Sequence, residues 1–283
     1  MKIFERFLTI DRRIIFLLIF IGVALPLIFM ITFNLEVTEN VQSVYELLQE
    51  MEPGTRILIS FDYDPSTKPE IQPMAIALLQ QAFTNRLRVI TTALWPMGVQ
   101  MCNEAYETVS AEYPDIEYGI DFINLGYKSG GMVTINHMAK DFRSTFPADA
   151  GGVPIDDFPI MKGIKNFDKI GCMISLSAGD PGLKQWVMIV HDTFNKPVAG
   201  GTTAVQAPTM LPYVNEQRQL IGLLGGLKGA AEFELLVKKP GFATKGMGAQ
   251  SIAHLIIILF IVIGNIGYFV TRKQQDTIKS KKP

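Results

Sequence analysis

Asp62 and Asp64 flank a tyrosine where a short β-rich run ends. Two carboxylates so placed are the kind of pair that holds a divalent cation for phosphoryl chemistry. A phosphoryl-transfer receiver would also want an acidic acceptor at the end of the third strand, where this sequence has Gly126-Tyr127. The pair therefore reads better as a solvated loop, with aspartates serving turn geometry. Lys128-Ser129-Gly130-Gly131 is the second arrangement with chemical capacity. Glycines free backbone N–H groups at a helix start, and a lysine alongside favours an anion. The same residues also make a tight strand-to-helix turn, and neither GxxxxGK[ST] nor GxGxxG is present to raise the anion reading above it.

Two further strand ends carry hydroxyls. Ser175 and Ser177 precede Ala178-Gly179-Asp180-Pro181-Gly182, and Thr202 and Thr203 follow Gly200-Gly201. Either pair could line a ligand pocket, since open parallel sheets bind ligands beyond the carboxyl ends of their strands. Asp180 followed by Pro181 suits the N-cap and first position of a helix, which accounts for that aspartate without a ligand.

No constellation for catalysis or for a metal emerges, and none for a cofactor. His137, His191 and His254 are far apart, and no HExxH or GxSxG occurs. Cys102 and Cys172 are the two cysteines, and they read either as a disulfide outside the cytoplasm or as two buried thiols. Small residues give a different kind of signal. Gln219 to Ala231 carries Gly222, Gly225, Gly226 and Gly229, with two pairs spaced by four. On a helix this spacing permits close approach of a packing partner, either the domain's own sheet or another subunit.

These candidates must be positioned by the elements between them. The pattern predicts a helix over 38–51, a strand over 56–63, and a helix over 70–86 with Ile71, Met74, Ala75, Leu78, Leu79, Ala82 and Phe83 on a 3.6-residue stripe. Strands follow at 88–95, 119–127, 169–177 and 197–205, with helices after each, the last being a long one over 215–237. Residues 147–159 form a loop rich in Pro, Gly and Asp. Single buried strands alternating with helices imply crossover connections. The expected fold is a three-layer α/β domain, Rossmann-like or flavodoxin-like, with a mainly parallel five-stranded sheet.

Two apolar runs, Ile14 to Phe33 and Ile252 to Val270, contain no Asp, Glu, Lys or Arg. Each is long enough as a helix to cross a ~30 Å hydrocarbon core. A retained anchor fits the first run better than a signal peptide, because it exceeds a signal's apolar core and no small-x-small site follows. The expected organisation is a cytoplasmic N-terminus over 1–13, a span over 14–33, an extracytoplasmic domain over 34–250, a span over 251–271 and a basic, disordered cytoplasmic tail over 272–283. Charge agrees with it: residues 34–250 hold 17 Lys and Arg against 24 Asp and Glu, net −7, while the flanks carry +2 and +4. An acidic domain offers nucleic acid no basic patch. Within the second run, Gly264 and Gly267 hint at helix contact, and an intramembrane Asn265 commonly bonds a neighbouring helix.

The chain is therefore expected to be a two-span protein of the cell (inner) membrane, with its main domain on the periplasmic or outer face. The favoured role is a non-catalytic accessory subunit, partnered by other membrane subunits or by copies of itself. A sensor or solute-capture domain for a small molecule or anion is the first alternative. A membrane-anchored hydrolase or transferase is the second.

Overall fold

The structure is a computed structural model and describes residues 11–29 and 35–279. The flank 1–10, the end of the first apolar run at 30–34, and residues 280–283 lie outside the described residues. The chain divides into two compact units, Leu35–Thr244 and the two terminal stretches together.

The larger unit is built on a six-stranded, all-parallel sheet. In chain order its elements are α2 (Glu39–Gln49), β1 (Arg56–Asp62), α3 (Lys68–Thr84), β2 (Arg88–Ala93), α4 (Gly98–Ser110), β3 (Phe122–Tyr127), α5 (Met132–Lys140), α6 (Phe142–Thr145), β4 (Met173–Ser177), α7 (Leu183–Trp186), α8 (Asp192–Phe194), β5 (Val198–Thr202), α9 (Ala207–Met210), β6 (Leu223–Gly225) and α10 (Gly226–Leu236). A π-turn, Val187–His191, joins α7 to α8. The strand order is β3-β2-β1-β4-β5-β6, so the winding direction reverses between β1 and β4. Helices α3, α4 and α10 pack on one face, with α2 against α10, while α5, α6 and α7 cluster separately. Strands buried in this way read as continuous apolar runs, and β1 is buried from Ile57 to Asp62.

Sheet size is the main departure from expectation. The helix predicted over 215–237 is instead a loop, a sixth strand at Leu223–Gly225 and a shorter helix from Gly226. Gly226 has φ +58°, and a side chain there would come within 2.6 Å of Ala204 Cβ. The chain turns at this glycine because another residue would be strained there. Gly222 and Gly225 thus lie outside the helix, and the four glycines do not form one helical stripe. All four face parts of their own unit: Gly222 meets Asn40 and Val44, Gly225 meets Ala207, Gly226 meets Ala204, and Gly229 meets Leu224. The basic tail also differs, since helix continues to Lys279.

In the second unit, α1 (Arg12–Phe29) and the part of α11 (Phe242–Lys279) up to Phe269 are long and apolar enough to cross a membrane, each with a mean hydropathy of 2.3. They pack on one another: a Cβ on Gly22 would come 2.2 Å from Ile256 Cδ1 and 3.5 Å from Ile252 Cγ2. Gly264 has open space around it and Gly267 is buried.

Candidate functional site

In a doubly wound sheet the ligand crevice opens where the winding reverses, here beyond the carboxyl ends of β1 and β4. Asp62 closes β1 at this point and is fully buried, not solvated. Its Oδ1 accepts from Ser60 Oγ at 2.7 Å and from the Leu94 backbone N–H at 2.7 Å, and its Oδ2 accepts from Trp186 Nε1 at 3.0 Å. Burial pushes its pKa up to about 6, against the pull of the Leu94 amide, Ser60, Trp186 and the nearby Ser175. Asp64 is elsewhere in character. It accepts from Ser66 N–H at 2.9 Å and Ser66 Oγ at 2.6 Å in a tight turn, and those bonds hold its pKa below the usual carboxylate range. The two carboxylates do not converge, and no group of three metal-ligating side chains occurs among the described residues.

The crevice itself is bridged by tryptophan. Trp95, in the loop after β2, donates its indole N–H to the Pro181 carbonyl at 2.8 Å, tying that loop to the one after β4. Its ring lies against Gly179, where a Cβ would sit 3.0 Å from Trp95 Cζ2. The start of α4 presses on β1 from the same side: a Cβ on Gly98 would come 1.9 Å from the Phe61 carbonyl oxygen. β1 and the loops after β2 and β4 are therefore held together at this end of the sheet.

Lys128-Ser129-Gly130-Gly131 takes turn geometry. Gly130 and Gly131 have φ +121° and +51°, and Thr134 Oγ1 donates to the Ser129 carbonyl at 2.6 Å. Lys128 is exposed and borders a 340 Å³ cleft with Thr145, Phe146 and Asp149. Ser177 serves its neighbouring helix: its Oγ accepts from Leu183 N–H at 3.1 Å, so α7 starts two residues later than expected, with Gly182 before it. Asp180 instead accepts from Gln185 Nε2 at 2.8 Å. Ser177 also borders a 280 Å³ cleft with Lys184, Gln206, Thr209 and Tyr213. Thr203 turns the chain after β5, its carbonyl accepting from Gln206 and Ala207. The hydroxyls of Ser175 and Thr202 are buried and reach no partner at hydrogen-bond geometry. Both cysteines are buried free thiols, with Cys102 pushed up to about 12 by burial.

Sequence reasoning missed Trp95, Trp186 and Leu94 as the groups that complete this end of the sheet. Trp186 stands 124 residues from the aspartate it bonds. Its one signal was a tryptophan on a helix expected to face the sheet, since a buried indole N–H needs an acceptor.

No protein-family model matches this sequence, and no curated protein matches it. Among solved structures, one described as the crystal structure of AibC is similar at 11% identity and a TM-score of 0.32. That similarity covers 77% of this chain and 50% of the other, so the chain spans half the length of the protein it matches. A likeness at this score carries no weight for function. The fold and site define an α/β protein with clefts at its strand ends and two helices of membrane-spanning length and composition.

Proposed function

We propose that this chain is a two-span membrane protein with both termini cytoplasmic, displaying a Rossmann-like domain outside the cytoplasmic membrane. Its role is that of a non-catalytic accessory subunit in a membrane assembly. One observation carries the reading: the sheet end where the Trp95–Pro181 bond ties two loops together is bordered by exposed apolar side chains. Met97, Met132, Val133, Val205 and Leu211 come from segments that follow strands β2, β3 and β5, Tyr127 closes β3, and Val205 is 84% exposed. Exposed apolar groups concentrated at one end favour protein contact over a soluble substrate. The acidic domain between basic flanks supports the orientation. Native mass spectrometry after gentle detergent extraction is expected to show the chain with at least one different polypeptide. A 31.5 kDa monomer, or a complex of this chain alone, would refute the role.

A second reading, a sensor for a small polar molecule, draws on the 280 Å³ cleft bordered by Ser177, Asp180, Lys184, Gln206 and Thr209. A ligand in that cleft would raise the melting temperature by mass action. Absence of a shift across anions, amino acids and sugars at high concentration would dismiss it.

A further inference from the structure

Apart from the strand-end loops, the segment joining α10 to α11 forms a cleft of 580 Å³ with α3 and the end of α4. That volume is larger than either strand-end cleft and lies within the ~300–1,000 Å³ typical of small-molecule sites. Pro73, Ile76 and Ala77 of α3 and Phe242 of α11 give it apolar walls, and Lys238 and Lys239 border it. All of these residues belong to Leu35–Thr244. The walls are fixed from two sides. Glu234 is buried, and its carboxylate accepts from the N–H groups of Gly241, Ala243 and Thr244, which holds the start of α11 to α10. Lys239 Nζ meets Glu112 Oε2 at 2.5 Å and stands 4.7 Å from the centre of the Tyr113 ring, which ties the same junction to the end of α4. Phe242 nevertheless remains 60% exposed, so the cleft keeps an uncovered aromatic wall.

Charge narrows the choice of occupant. Residues 34–250 carry a net −7, yet residues 235–251 hold Lys238, Lys239 and Lys245 with no Asp or Glu. Lys239 is paired with Glu112, and Glu234 is engaged by backbone amides. The other ion pairs among the described residues are Lys68–Glu104, Arg143–Asp156, His191–Asp192 and Lys228–Glu232. The exposed Lys238 ammonium stands outside them all. A ligand that matches this cleft is apolar along its length and anionic at one end. The bilayer holds such molecules at high density. Thr244, where the unit ends, precedes the apolar run at Ile252 by eight residues, a reach of at most ~29 Å at any mutual angle. We infer that the cleft holds one acyl chain of a phospholipid, with the phosphate on Lys238, since lysine meets phosphate as a point charge. The inference rests on the membrane reading above.

Photocrosslinking of the full-length chain in native membranes tests this. The photoreactive p-benzoylphenylalanine is placed either at Ile76 in the cleft or at Val153, an exposed position that does not line it. Illumination is expected to add the mass of a phospholipid to the peptide containing position 76 and nothing to the one containing position 153. Lys238 has φ +57°, so Lys238→Gly removes the ammonium while suiting the left-handed backbone, and the fold is kept. In the chain labelled at 76 it is expected to lower the lipid adduct roughly fivefold, whereas Lys238→Arg leaves it near the parent level. A polypeptide adduct at 76, lipid at both positions, no lipid adduct, or a yield unmoved by Lys238→Gly would overturn the site. Alkaline carbonate extraction of the same membranes separates the two ideas. Release of the chain overturns the membrane reading and the lipid site together, while a retained chain without the adduct at 76 overturns the site alone.

Discussion

Asp62 shows how much one carboxyl can decide at the residue scale. It lies at the centre of the sheet, and its three bonds gather β1, the loop after β2 and the helix after β4. Because burial raises its folded pKa from 3.8 to about 6, the folded state binds the proton more tightly than the unfolded chain does. The stability Asp62 contributes is therefore complete below about pH 4 and is lost as pH rises through about 6, a difference of roughly 3 kcal/mol. Asp62→Asn cannot titrate, so the gap in stability between parent and variant is expected to change across pH 4 to 7. Urea midpoints for residues 35–244 would report it, and a constant gap would show that Asp62 does not govern this dependence. Neither burial nor the Trp186 partner was legible beforehand, since an Asp-x-Asp at a strand end has the same sequence whether it faces water or the core.

At the scale of elements, strands β1 to β5 and the longer helices α2 to α4 fall where periodicity places them, while the helix expected after β4 is broken into α7, a π-turn and α8. The last quarter of the domain does not follow periodicity. β6 has three residues and no room for an alternating pattern, and the glycines that bracket it imitate a small-residue helix face. What ends the strand and begins α10 is the positive φ of Gly226 together with the close approach of Ala204. Gly226→Ala is expected to cost roughly 2 kcal/mol or more in chemical unfolding. An Ala at position 226 that left stability unchanged would contradict the strained turn. A second junction is set by Glu234, whose carboxylate accepts from the backbone N–H groups of Gly241, Ala243 and Thr244 and from Thr244 Oγ1. That one side chain satisfies the first amides of α11, which otherwise have no acceptor at a helix start.

At the scale of the molecule, the larger unit carries its own core, with Phe61, Phe122, Phe142, Phe167, Phe233 and Trp186 fully buried. Residues 35–244 expressed alone are expected to unfold in one cooperative transition by calorimetry. A broad, non-cooperative melt would show that they do not form an independent domain. Within the full chain, Val205→Asp separates assembly from folding. At an 84% exposed position the change should move stability by less than about 0.5 kcal/mol. If the apolar strand-end surface seats another subunit, the same change should remove that subunit from the native mass spectrum. Persistence of the full complex would place the contact elsewhere. The sequence by itself determined the alternating parallel α/β plan, the two long apolar runs and the acidic middle, because periodicity, length and charge are properties of neighbouring residues. Only the tertiary structure decided that Trp95 bonds Pro181 across the strand ends, that Asp62 is buried and that the glycines serve one domain. Those outcomes depend on groups distant in the chain meeting in space, as Asp62 meets Trp186.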